Sequence, residues 1–196
     1  RLIPGQRSRT VFYRSNEPHG LKHNPLNALV IPRPIAWIST MDGDGNLNLA
    51  PYSFFNAVAY TPPQVMFAAT GVQPPESRMK DTVANIHVTG EFVVNFSTWD
   101  LREEMNITSA PAPRDVNEFA LAGVTPAPST TVKVPYVKES PAQLECRHLR
   151  TIELLSTNPA EPNRMVLGEV LGIRIDDAVI DHGLVRYDRL RPIGRL

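Results

Sequence analysis

The chain has 196 residues, 42% of them apolar and 20% charged, which suits about one globular domain with a sizeable core. Lysine plus arginine and aspartate plus glutamate each number 20, so no net field draws the chain to nucleic acid or to an anionic membrane surface. No apolar run approaches the ~20 residues of a membrane span. The single cysteine, Cys146, leaves no internal disulfide and no cysteine-based metal cluster, and it points to a reducing, cytoplasmic setting.

The first segment, RLIPGQRSRT, has charge but no apolar core behind it and does not read as a signal peptide. Residues 1–24 show no sustained period and are expected to be an arm, with the domain proper at 25–196. His19 and His23 have a metal-compatible i, i+4 spacing, but Pro18, Gly20 and the Asn24-Pro25 pair argue for a loop there. No metal site is expected.

The stretch from Pro32 to Asn56, PRPIAWISTMDGDGNLNLAPYSFFN, is the most informative. Ala36 to Met41 reads as a short strand, and DGDGN (Asp42–Asn46) as a hairpin turn whose residues tolerate positive φ. Pro51 removes a backbone donor from the next strand and so predicts an edge or a break in pairing. Donors near Ser53 and Phe54 then need a partner, which a flat, acceptor-rich ligand can supply.

Further on, Gln64–Thr70 reads as a buried strand and Glu91–Ser97 as another strand, with a helix at about Asp81–Val88 between them. Val83 and Ile86 mark its inner side and Gly90 its stop. Thr98 is expected to cap a second helix packing Leu101 and Met105. A third spans Asp115–Ala122, with Asp115 and Glu118 as a capping pair. Thr125–Pro141 is a connector. In Gln143–Leu155, Leu144, Cys146, Ile152 and Leu154 form the apolar phase. In Arg164–Ile175, Met165, Leu167, Leu171, Ile173 and Ile175 are expected on the core side, with Gly168 and Gly172 opposite at bends. Many short strands, few short helices and 19 dispersed prolines favour a closed or split antiparallel barrel over a parallel α/β sheet.

In SRMKDT (Ser77–Thr82), Arg78 and Lys80 precede a helix start, where the dipole is already positive. Two readings fit: a solvated loop that carries two basic residues, or an anion between those cations and the free N–H groups, where a phosphate also gains the Thr82 hydroxyl.

The PRPIAWIST, NLAPYSFFN and KDT elements, in that order, resemble the flavin reductase-like family of FMN-binding split β-barrels. The likeness runs roughly from Pro25 to the C-terminus. It implies a mainly β, split antiparallel Greek-key barrel with short peripheral helices and one FMN per subunit of a homodimer. The phosphate is then expected on Ser39, Thr40, Arg78, Lys80, Asp81 and Thr82. The ring is expected along Asn48, Ala50, Pro51, Tyr52, Ser53, Phe54 and Asn56. The implied activity is NAD(P)H-dependent flavin reduction that serves an oxygenase or another acceptor, with a flavoredoxin-like carrier or an FMN-binding protein as alternatives. Relatives usually continue beyond RPIGRL, so the chain is expected to stop short of that tail.

No catalytic acid or base is expected from the protein, since the cofactor does the redox chemistry. Neither a Gly-x-Ser-x-Gly elbow nor a dinucleotide-binding glycine loop stands out. His148 and Glu169 are expected as a satisfied core pair or interface contact, with a nicotinamide contact as the functional reading of His148. Arg174 stands where many relatives carry histidine. Cys146 is expected to be an inert buried thiol.

Overall fold

The computed structural model describes residues 10–73 and 79–196. The chain divides into two units, residues 1–31 with Leu196, and Pro32–Arg195. In the first, α1 (Pro25–Leu29) starts at Asn24, whose side chain accepts from the Asn27 N–H, and Pro25 occupies a first-turn position that needs no donor. The backbone N–H of Leu21 donates to His19 Nδ1, and the His19–His23 stretch is loop, as its prolines and glycine dictate.

The second unit begins with β1 (Arg33–Pro34), β2 (Ala36–Met41), β3 (Leu47–Tyr52), β4 (Phe55–Tyr60) and β5 (Pro63–Thr70). Asp42 closes the β2–β3 hairpin by accepting from the backbone of Asp44 and of Asn46, with Gly45 at φ 90°. Then come α2 (Asp81–Thr89), β6 (Glu91–Phe96), α3 (Arg102–Ile107) and α4 (Glu118–Ala122). The connector holds a small ladder of β7 (Pro126–Ala127) and β8 (Tyr136–Val137). The long strands β9 (Ala142–Leu154) and β10 (Asn163–Ile175) follow. The unit closes with β11 (Ile180–Asp181), β12 (Leu184–Val185), α5 (Tyr187–Leu190) and β13 (Gly194–Arg195), the last pairing with β1.

Among the described residues, seven strands form one antiparallel sheet in the order β3-β2-β6-β9-β10-β5-β4. Its two edges, β3 and β4, are consecutive in the chain and join at the Ser53–Phe54 bend. The sheet is therefore a split barrel, and Pro51 lies on an edge strand, as a residue without an N–H must. The inner core packs Ile38, Phe67, Phe92, Val94, Val166 and the α2 residues Val83 and Ile86. On the outer face, Trp37, Leu49 and Phe119 form a second cluster, and Val93 packs with Val132, Val134 and Tyr136 in a third.

Several sequence expectations are corrected. The second helix is α3, preceded by Leu101 and not capped by Thr98. The third is α4, capped by Asn117, whose side chain accepts from Phe119 and Ala120; Glu118 reaches the Leu49 N–H at 3.2 Å instead. In β9, Gln143 and Glu145 are 1% and 3% exposed because the connector covers their face, and Glu145 accepts from Thr130 and Thr131. In β10 the core takes Val166, Gly168 and Val170, while Leu171 and Ile173 are 40% and 62% exposed. Apolar residues occupy both faces of that strand and two bulges shift its phase, so alternation alone misassigns it.

Candidate functional site

Helix α2 starts at Lys80 with no side chain capping it, and Gly90 ends it in the left-handed conformation. In its first turn the Val83 N–H bonds back to the Lys80 carbonyl at 3.0 Å, and the Thr82 N–H has no partner among the described residues, so it is open to a ligand. Lys80 is half-buried, and burial lowers the pKa of its ammonium. Among the described residues no carboxylate forms an ion pair with it. Arg78, the other expected cation, lies outside the described residues.

A buried polar network ties this helix start to β2 and β3. The Asn48 amide donates to Thr82 Oγ1 at 3.0 Å and to Thr40 Oγ1 at 3.3 Å, and the Asn85 amide donates to Thr40 at 3.2 Å. Asn85 Oδ1 is buried and accepts from nothing in the described residues. Tyr52 hydrogen-bonds with Thr82, and burial pushes its phenol up to about 12. Tyr52 is followed directly by the Ser53–Phe54 bend, so this bond sets the proline-bearing edge beside the helix start.

Asp81 is buried, with Arg114 at 3.9 Å. Glu118 comes from α4 into the same neighbourhood; burial raises its pKa, and the Asp81 charge adds to the effect.

The expected residues therefore separate into groups. Thr40, Asn48, Tyr52 and Thr82 are brought together, but their side chains are buried and bonded to one another, so they build the helix start from behind. Ser39 does not join them. Adjacent strand residues point to opposite faces, and the Ser39 hydroxyl donates to the Pro135 carbonyl at 2.7 Å on the outer side. Ala50 packs against the inner core and Pro51 sits opposite Trp37. Phe54 is 36% exposed at the bend. Asn56 is exposed, and its Oδ1 accepts from the Ala57 N–H.

A family model described as "Flavin reductase like domain" matches residues 28–193. The chain belongs to the flavin reductase-like family. An uncharacterized protein of Aquifex aeolicus is 42% identical over 169 residues, spanning 86% of this chain and 82% of that protein. Among solved structures, nitrilotriacetate monooxygenase component B from Bacillus cereus superposes with a TM-score of 0.86 at 31% identity, covering 97% of this chain and 93% of that one. The 2-nitrobenzoate 2-nitroreductase NbaA of Pseudomonas fluorescens gives 0.75 at 30% identity, over 88% and 80% of the two chains.

In this flavin reductase-like chain, sequence reasoning passed over two residues beside the candidate site. Arg33 is 8% exposed, with its guanidinium 5.7 Å from the Phe54 ring centre, at the bend itself. Its place inside the PRPIAWIST element was a usable signal. Glu118 carried none, because its contact with Leu49 spans 69 positions. His148 pairs with Thr151, not with Glu169, which bonds Arg147 at 2.6 Å. Cys146 is fully buried, and desolvation raises its thiol pKa far above the ordinary value. Among the described residues no group of three or more His, Cys, Asp or Glu is placed to hold a metal ion, and no helix is long and apolar enough to cross a membrane.

Proposed function

We propose that this protein binds FMN at the start of α2 and carries reducing equivalents from NAD(P)H to an oxygenase component or another acceptor. The observation that carries the reading is Lys80, a half-buried ammonium without an acidic partner among the described residues, at a helix start that no side chain caps. A phosphate there gains the charge, the dipole and the Thr82 N–H together. Arg78 is the second cation the sequence offers.

Flavin, when bound, accepts hydride and passes electrons on; the chain supplies grip and orientation. Asn48, Thr40 and Thr82 hold the helix start against the edge strand. Tyr52 fixes the Ser53–Phe54 bend, where backbone donors can face a planar ring. No side chain is assigned as acid or base.

A homodimer fits the same reading. Met66, Leu167, Met165 and Ile152 share the outward face of neighbouring strands and remain only partly buried, an apolar surface suited to a second copy.

Anaerobic addition of NADH or NADPH to the FMN-loaded protein tests the activity. Rapid bleaching of the flavin absorbance is expected. Bleaching only with a reduced protein donor makes the protein a carrier, and failure to retain any flavin overturns the proposal.

A further inference from the structure

At the other end of α2 the structure joins two histidines to one hydroxyl. His87 Nε2 and His148 Nε2 each lie 2.9 Å from Thr151 Oγ1, and the ring centres are 5.7 Å apart. His87 is in the last turn of α2, seven positions beyond Lys80 and about 10 Å along the axis, so this cluster is separate from the candidate flavin site.

His148 and Thr151 are three positions apart and in a regular strand would face opposite ways. The register shift between Leu167 and Gly168 places an extra residue, Leu149, between them; His148 then stands opposite Gly168, and Thr151 opposite Val166. Both side chains thereby turn to the side from which α2 presents His87.

We propose that His87 and His148, converging on Thr151, bind a divalent late transition-metal ion such as Cu²⁺, Zn²⁺ or Ni²⁺. Neutral imidazole suits these metals and not magnesium or calcium, and Cu²⁺ binds tightest in the usual order. With metal–nitrogen bonds of about 2.0–2.1 Å and a tetrahedral or wider angle, two ligating imidazoles hold their ring centres roughly 5–6 Å apart. The observed 5.7 Å falls in that range without rebuilding either element.

Thr151 has one hydroxyl proton and two lone pairs, so it can donate to one imidazole and accept from the other; a cation held between the rings would instead take a lone pair from each nitrogen. His148 also hydrogen-bonds with the Arg150 backbone, the kind of outer contact that fixes the ring of a metal-bound histidine.

Charged neighbours are engaged elsewhere. Arg147 pairs with Glu169, Glu153 with Arg164, and Glu91 accepts from the Lys133 N–H. Arg150 stands opposite Leu167, on the outward face. His87 is exposed and His148 half-buried, so water can complete the coordination. Two protein nitrogens with water make an exchangeable site, unlike a four-ligand structural zinc centre.

The test titrates tag-free, chelator-treated protein with Zn²⁺ by calorimetry and with Cu²⁺ by electron paramagnetic resonance. One ion per chain is expected at this site, with hyperfine structure from two nitrogens. His87→Gln, at an exposed position that leaves the fold intact, is expected to weaken binding at least tenfold and to reduce the nitrogen count to one. A His19→Gln/His23→Gln variant should match wild type. Unchanged affinity and spectrum in His87→Gln, loss of binding in the His19/His23 variant, or no binding by wild type overturns the proposal.

Discussion

Asn48 donates its side-chain amide to the hydroxyl of Thr82 across 3.0 Å, fastening the edge strand β3 to the first turn of α2. The same amide reaches Thr40 at 3.3 Å, so one residue ties two strands to one helix start. Asn48→Ala leaves buried hydroxyls short of a partner. Such a loss costs ~1–3 kcal/mol. A lower urea midpoint with an unchanged slope is the expected result. An unaltered midpoint would show that the network contributes nothing to stability.

The Glu118 carboxyl makes the fold sensitive to pH. Burial raises its pKa above the ordinary value of 4.5, and the neighbouring Asp81 charge acts in the same direction. The native state therefore holds this proton more tightly than the unfolded chain. The resulting stability is fully present below the ordinary glutamate range and is lost as pH rises through the raised value. Glu118→Gln is neutral throughout and can still accept from Leu49. Its stability relative to wild type should climb as pH rises from 4.5 towards neutrality, read from denaturant midpoints across the pH series. Parallel pH profiles for the two proteins would refute the assignment.

Gly168 lies beneath the Phe92 ring. A Cβ there would stand 2.7 Å from Phe92 Cε1 and closer still to Cζ, and Phe92 is fully buried. Gly168→Ala should destabilise by ~1–3 kcal/mol, the usual range for overpacking. Adding Phe92→Leu to that background should recover part of the loss in a double-mutant cycle. Simple additivity would mean that the two groups do not meet.

Much of the fold was legible because its signals are local. The DGDGN turn, the Pro51 edge, the KDT helix start and the Gly90 stop each follow from residues that act on their own backbone. The faces of the long strands were not legible. In β10 apolar residues line both sides and bulges shift the phase, so Met165 and Leu167 turn outward while Val166 and Gly168 enter the core. The burial of Glu145 depends on a connector that folds over it, and Glu118 finds its partner far along the chain. In the candidate site, alternation could have separated Ser39 from Thr40. Nothing local could have told that Thr82 would be 1% exposed and bonded inward.

The central claim is that Lys80 and the uncapped start of α2 grip a phosphate. It is tested most directly by comparing FMN with riboflavin, identical except for that group, in wild type and in Lys80→Met, by quenching of flavin fluorescence. Charge-assisted hydrogen bonds contribute ~1.5–3 kcal/mol, so wild type should prefer FMN by roughly 10-fold or more, and Lys80→Met should lose most of that preference while binding riboflavin as before. Equal affinity of wild type for the two flavins, or an undiminished preference in Lys80→Met, would contradict the account.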